Sequence, residues 1–67
     1  MRVLIYNPET ALYFNTLKSW VGDCQKAASF ESIDQAFKVA SELGMSRLEL
    51  EVYMNPGEPP ARVPVRA

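Results

Sequence analysis

The chain has 67 residues, 48% of them apolar and 22% charged, and its formal net charge is −1. This length and composition predict a single globular domain and exclude a disordered chain. Seven basic residues against eight acidic ones leave no overall positive charge of the kind that marks nucleic-acid and membrane binders.

The residue types also limit how so small a domain gains stability. Below about 70–80 residues, the free energy gained by burying a hydrophobic core barely exceeds the entropy cost of ordering the chain. A disulfide, a metal or self-association therefore often adds stability. Cys24 is the only cysteine and histidine is absent, which excludes an internal disulfide and a structural zinc site. Self-association remains, and we therefore expect the chain to form a homodimer.

Two features favour a cytoplasmic protein. No stretch approaches the roughly 20 apolar residues that span a bilayer, and the apolar run near the start is too short for a signal peptide. An unpaired cysteine is typical of a reducing compartment. We therefore expect the chain to work in the cytoplasm, without membrane contact.

The first third of the chain predicts a hairpin and a weaker third strand. Residues 3–6 form a β-rich run that ends at Asn7 and Pro8, which favour a turn, and residues 11–15 return as a second strand. Residues 19–21 are a further candidate strand, ended by Gly22.

The middle of the chain predicts one amphipathic helix over residues 33–43. Ser32 and Gln35 have the spacing of a capping box, and Gly44 is placed to end the helix in a left-handed conformation. Apolar residues recur at helical spacing and predict one buried stripe: Ile33, Ala36, Phe37, Ala40 and Leu43.

The last third predicts a strand and then a change of character. Residues 47–54 alternate between polar and apolar, which is typical of a strand with one buried face. Four of the five prolines lie in residues 55–67, so we predict a domain over 1–54 and a proline-rich tail over 55–67. The tail is either flexible and polyproline-like or adds residues 62–66 as an edge strand.

The order β-β-(β)-α-β predicts a small α+β domain, in which one helix packs on one face of a mainly antiparallel sheet. Phe30 is expected to close one end of the core. The side chains expected to face the helix are Val3, Ile5, Leu12, Phe14, Leu48, Leu50 and Val52.

Part of this pattern resembles a loose group of small bacterial and phage proteins. Their pattern is Asn-x-x-Thr-Gly-x-Tyr-Leu, then a Trp, then Ala-x-x-Phe leading into a helix. The matching residues here are Asn7, Thr10, Tyr13, Phe14, Trp20, Asp23, Ala27 or Ala28, Phe30 and Ala36. Ala11 stands where the group's pattern has Gly, and a left-handed residue there is unfavourable for Ala by about 1 kcal/mol. The resemblance implies the fold and says nothing about activity.

Candidate catalytic residues all have a simpler explanation. Cys24 lacks the histidine that activates a nucleophilic thiol. Glu49 and Glu51 project from one strand face about 7 Å apart, as glycosidase acids do, but any solvated alternating strand produces such a pair. The glycines are isolated and form no phosphate-binding loop. We therefore expect no enzyme, no catalytic residue, no metal and no cofactor.

The face opposite the helix is the expected working surface. Its predicted members are Leu4, Tyr6, Tyr13, Trp20 and Tyr53. Aromatic side chains beside Leu4 predict an apolar patch for a second copy or an unknown protein. Single-stranded nucleic acid is the alternative, since its binders stack bases on such faces, although Glu49 and Glu51 repel phosphate. From the strands, only Arg2 and Arg47 add positive charge there.

Overall fold

The computed structural model describes residues 1–16, 19–45 and 47–66, and in these ranges the chain forms five strands and one helix. The elements are β1 (Arg2–Asn7), β2 (Leu12–Thr16), β3 (Ser19–Val21), α1 (Ile33–Glu42), β4 (Arg47–Tyr53) and β5 (Ala61–Arg66). The α+β class predicted from the sequence is confirmed.

The strands form one sheet in the order β3-β2-β1-β4-β5, in which all neighbouring pairs are antiparallel. The central strand β1 pairs with β4 from Arg2 to Tyr6, but with β2 only at Tyr6 and Asn7. Nearer its start, Val3 exchanges backbone hydrogen bonds of 3.0 and 2.9 Å with Phe30. The segment that precedes α1 therefore fills the space between β1 and β2.

The core lies between α1 and one face of the sheet, where the helix contacts β1, β4 and β5. Its buried members are Val3, Ile5, Phe14, Ala36, Ala40, Leu48, Leu50, Val52 and Val65. This includes all the predicted inward residues except Leu12, which is half-buried. Phe30 packs against the cluster, as expected.

The helix begins as predicted but turns a different flank to the sheet. The Ser32 hydroxyl accepts a hydrogen bond from the Gln35 backbone N–H at 3.2 Å, and Gly44 has a left-handed φ of 68°. Ile33 and Phe37 are 38% and 47% exposed, so their place in the buried stripe is wrong.

The other flank of α1 packs on the core instead, through Val39 and Leu43. On a helical wheel the two flanks lie at equal angles from Ala36 and Ala40, the buried residues that face the sheet. Helical periodicity alone therefore does not select between them.

The C-terminal segment forms the edge strand β5, which is one of the two predicted alternatives for the tail. Val65 pairs with Leu48 and is only 4% exposed, so this strand contributes to the core. Pro64 lies opposite Glu49. Proline has no N–H to donate to a sheet, and an edge strand tolerates it because one side of its backbone is unpaired.

The turn from β1 to β2 contains a strained residue. The Asn7 side-chain oxygen accepts from the Glu9 N–H at 2.9 Å, and the Asn7 carbonyl accepts from the Ala11 N–H at 2.8 Å. Ala11 has φ of 58°, in the left-handed region that is unfavourable for residues with a Cβ.

Candidate functional site

The sheet face opposite α1, here called the open face, carries side chains from all five strands. The register sets Tyr6 opposite both Tyr13 and Glu49, and Leu4 opposite Glu51. Strand β5 adds Arg62, which is paired with Glu51. The pairing places these residues on the open face: Arg2, Leu4, Tyr6, Tyr13, Val21, Arg47, Glu49, Glu51, Tyr53, Arg62 and Pro64.

Glu51 is the centre of this face and is 1% exposed. The Tyr13 hydroxyl lies 3.2 Å from both of its carboxylate oxygens, and the Tyr53 hydroxyl donates to Oε1 at 2.9 Å. Arg62 Nη2 lies 3.2 Å from Oε2. Burying a carboxylate is strongly unfavourable unless it is paired and hydrogen-bonded. The contacts with Tyr13, Tyr53 and Arg62 offset the cost of removing the Glu51 carboxylate from water.

The two tyrosines that bind Glu51 are held in the protonated form. Burial, the negative charge of Glu51 and the hydrogen bond to it raise the pKa of Tyr13 to about 12. Burial, the hydrogen bond and then the charge of Glu51 raise the pKa of Tyr53 to about 12 as well. Both hydroxyls therefore remain hydrogen-bond donors throughout the physiological pH range.

Arg62 links the buried carboxylate to the outer layer of the open face. Its side chain is 55% exposed, and Nη1 lies 3.5 Å from Glu49 Oε1. Its guanidinium carbon lies 5.1 Å from the centroid of the Tyr6 ring, and that ring lies 5.0 Å from the ring of Tyr13. The three side chains form a continuous row across the sheet, anchored at both ends on Glu51.

Two residues predicted for the contact surface are placed differently. Leu4 lies on the open face but is 0% exposed, so it offers no apolar contact there. Trp20 pairs with Phe14 and packs edge-on against its ring at 5.7 Å, and Phe14 belongs to the core on the helix side. The prediction that Trp20 shares a face with the tyrosines is therefore wrong. A register shift between Phe14 and Thr16 affects which face of the sheet Trp20 lies on.

One end of the open face borders a cavity. Arg2 donates to the Cys24 carbonyl oxygen at 2.9 Å, and its guanidinium carbon lies 5.8 Å from the centroid of the Tyr53 ring. A cavity of about 400 Å³ lies beside these residues, between the start of β1 and the turn that follows β4. The open face therefore has a cavity at the end where Arg2 and Tyr53 lie.

Glu49 and Glu51 share one cation on the open face, the guanidinium of Arg62. Both carboxylate oxygens of Glu51 also accept hydrogen bonds from tyrosine hydroxyls, Oε1 from Tyr13 and Tyr53 and Oε2 from Tyr13. Within the described ranges, no group of three or more histidine, cysteine or acidic side chains is placed to hold a metal ion. Nor does any helix there have the length and apolarity that crossing a bilayer requires.

The contribution of Arg62 is the part of this face that the sequence prediction missed. Its signal is the alternation of residues 62–66, in which arginines at both ends flank Val63 and Val65. That period of two is typical of a strand, but the prolines of the same segment favour a tail.

Comparison with known proteins gave no match. No family model matches the chain, and neither a curated protein nor a solved structure is significantly similar to it. The resemblance to small bacterial and phage proteins therefore stays a prediction.

Proposed function

We propose that the chain is a small protein-interaction module without a catalytic role, which contacts its partner through the open face. The proposal rests on one observation: Tyr6, Tyr13 and Arg62 form a row that Glu51 holds in place. Tyrosine and arginine are the residue types that, with tryptophan, dominate binding energy at protein interfaces. Side chains that are already immobilised lose less conformational entropy on binding, which favours affinity.

The partner in this proposal is a second copy of the chain. The open face carries charges of both signs, since Arg47 is exposed and Glu49 lies two residues further along β4. A two-fold axis between these positions brings Arg47 of each copy to Glu49 of the other, which makes the face self-complementary.

The free thiol of Cys24 suits a reducing compartment, and we propose that the module works in the cytoplasm.

Light scattering on size-separated protein tests this proposal. Tyr6→Ser removes the ring at the centre of the row and leaves the hydrogen bonds of Tyr13 and Tyr53 to Glu51 intact. We expect it to raise the dimer dissociation constant by about tenfold or more.

Phe37→Ser is the matched control, because Phe37 is a 47% exposed aromatic residue on α1, on the other side of the sheet. It should leave the dimer unchanged. A dimer that Phe37→Ser dissociates and Tyr6→Ser does not would place the contact on the helix, against this proposal. A mass that stays monomeric at every concentration would reject the second copy as partner.

Single-stranded nucleic acid is the second candidate, and the position of Arg62 favours it. This arginine adds a third described cation to the open face, beside Arg2 and Arg47, and lies against the ring of Tyr6. Arginine and aromatic rings together are how single-strand binders hold backbone and bases.

An oligothymidine titration followed by NMR separates this candidate from the first. Nucleic-acid binding predicts shifts of the Tyr6 ring that weaken steeply as salt is added. An unchanged spectrum at low salt would reject it.

A further inference from the structure

Two arginines of the open face lie over tyrosine rings, but only one of them has carboxylate partners. Arg62, over Tyr6, is ion-paired with both Glu49 and Glu51. Arg2, over Tyr53, makes no ion pair within residues 1–16, 19–45 and 47–66. The pairing of an arginine with a tyrosine ring thus occurs twice on this face. Carboxylates of the chain neutralise Arg62, whereas no described carboxylate pairs with Arg2.

Arg2 is also held in place, unlike a freely moving surface arginine. It is half-buried, its guanidinium lies over the Tyr53 ring, and one Nη2 hydrogen is used by the Cys24 carbonyl. A guanidinium has five N–H donors in one plane, so a fixed Arg2 still presents most of its donors. A positioned cation of this kind is suited to a planar anion such as a carboxylate.

The space beside Arg2 is large enough for a ligand and has largely apolar walls. The cavity has a volume of about 400 Å³, and Met1, Met54 and Pro56 line it together with the Tyr53 ring. Met1 and Met54 are 59% and 60% exposed, the two highest values among the large apolar residues described. An apolar group placed between them would remove this surface from water.

One acidic side chain at the cavity limits the charge of the ligand. Glu58 lines the same space, and its Oε2 accepts a hydrogen bond from Asn55 Nδ2 at 3.3 Å. A second negative charge on the ligand would be repelled by this carboxylate, which favours a singly charged carboxylate over a phosphate dianion.

We propose that the cavity binds a carboxylate carried on an apolar chain, with the carboxylate at Arg2 and the apolar part between Met1, Met54 and Pro56. A small aliphatic acid and the carboxyl end of a peptide share this chemistry. The inference goes beyond the proposed function and does not depend on it, because the row of Tyr6, Tyr13 and Arg62 takes no part in it.

NMR titration with three probes tests the inference: hexanoate for the aliphatic acid, N-acetyl-leucine for the peptide end, and hexanol as the neutral control. Saturable shifts of the Met54 methyl and Gly57 amide signals are expected with at least one acid, and the acid that binds more tightly identifies the source. Hexanol should bind much more weakly, because it cannot accept a charge-assisted pair of hydrogen bonds from Arg2.

Two substitutions of equal charge locate the binding. Arg2→Gln should raise the dissociation constant for the acid by about tenfold or more. Lys38→Gln removes the same charge from an exposed position on α1, on the other side of the sheet, so it should leave the affinity for the acid unchanged. Met54→Glu alters an exposed side chain without touching the contact to Cys24, and it should abolish binding by repulsion.

Three results would overturn the inference. They are no saturable shift with either acid, equal binding of hexanol, and a Lys38→Gln variant that binds the acid as weakly as Arg2→Gln.

Discussion

Ala11 shows how a single backbone angle bears on stability. Its φ of 58° lies where a Cβ crowds the backbone, and the turn hydrogen bond from its N–H to Asn7 holds it there. Ala11→Gly should therefore raise the free energy of unfolding by about 0.5–1 kcal/mol through the relief of this strain. The larger conformational entropy that glycine gives the unfolded chain offsets part of that gain. Urea unfolding followed by circular dichroism measures this.

Gly44 provides the reverse substitution. It has φ of 68°, and a Cβ there would meet no atom within 4 Å, so in the folded state Gly44→Ala introduces backbone strain and no steric clash. It should lower stability by about 1 kcal/mol. A gain in stability from Gly44→Ala, or a loss from Ala11→Gly, would contradict the account of both turns.

Glu51 and Glu49 should differ in their importance although they lie on the same strand face. Glu51 is 1% exposed and has three partners, whereas the Glu49 side chain is 28% exposed and pairs only with Arg62 among the described residues. Glu51→Gln should lower the free energy of unfolding by about 1–3 kcal/mol, and Glu49→Gln by under about 1 kcal/mol. Equal losses in urea unfolding would mean that the network is not centred on Glu51.

The same network predicts a loss of stability in alkali. The folded state raises the pKa of Tyr13 and Tyr53 from 10.0 to about 12, so it binds more protons than the unfolded chain between these values. Stability from this source is complete below pH 10 and is lost as the pH rises toward 12. Urea unfolding of the Tyr13→Phe, Tyr53→Phe double variant should show a weaker decline, and an equally steep one would disconnect the decline from these hydroxyls.

At the scale of elements, the strand β5 is what distinguishes this structure from the alternative of a domain with a flexible tail. Val65→Ala removes part of a 4% exposed side chain and should lower stability by about 1.5–2.5 kcal/mol. Val63→Ala is the matched control in the same strand, because Val63 is 38% exposed and should lose under about 1 kcal/mol. A flexible tail would make both substitutions neutral in urea unfolding.

The elements that the sequence predicts correctly are those with a local signal. The capping box at Ser32 marks the start of α1, and strict alternation marks β4. The position of Trp20 was beyond such reasoning, because a bulge in the pairing of β2 and β3 changes which face a strand position lies on. The role of Arg62 depends on pairing between β5 and β4, and the prolines of the segment obscure the signal for that strand.

At the scale of the whole molecule, the two faces of the sheet differ in the side chains that they bury and expose. The helix side buries the core and leaves Ile33 and Phe37 partly exposed. The open face covers Leu4 and presents tyrosine and arginine instead. Strand β5 completes the sheet beside β4 and adds Val65 to the core.

The most direct test of the open face as a contact surface is a dilution series followed by NMR. Amide signals that move between the highest soluble concentration and the lowest detectable one report the residues at the contact between copies. We expect the moving signals to lie in β1 and β4, around Tyr6 and Glu49. Shifts confined to α1, around Ile33 and Phe37, would contradict the account, as would a spectrum that does not change with concentration.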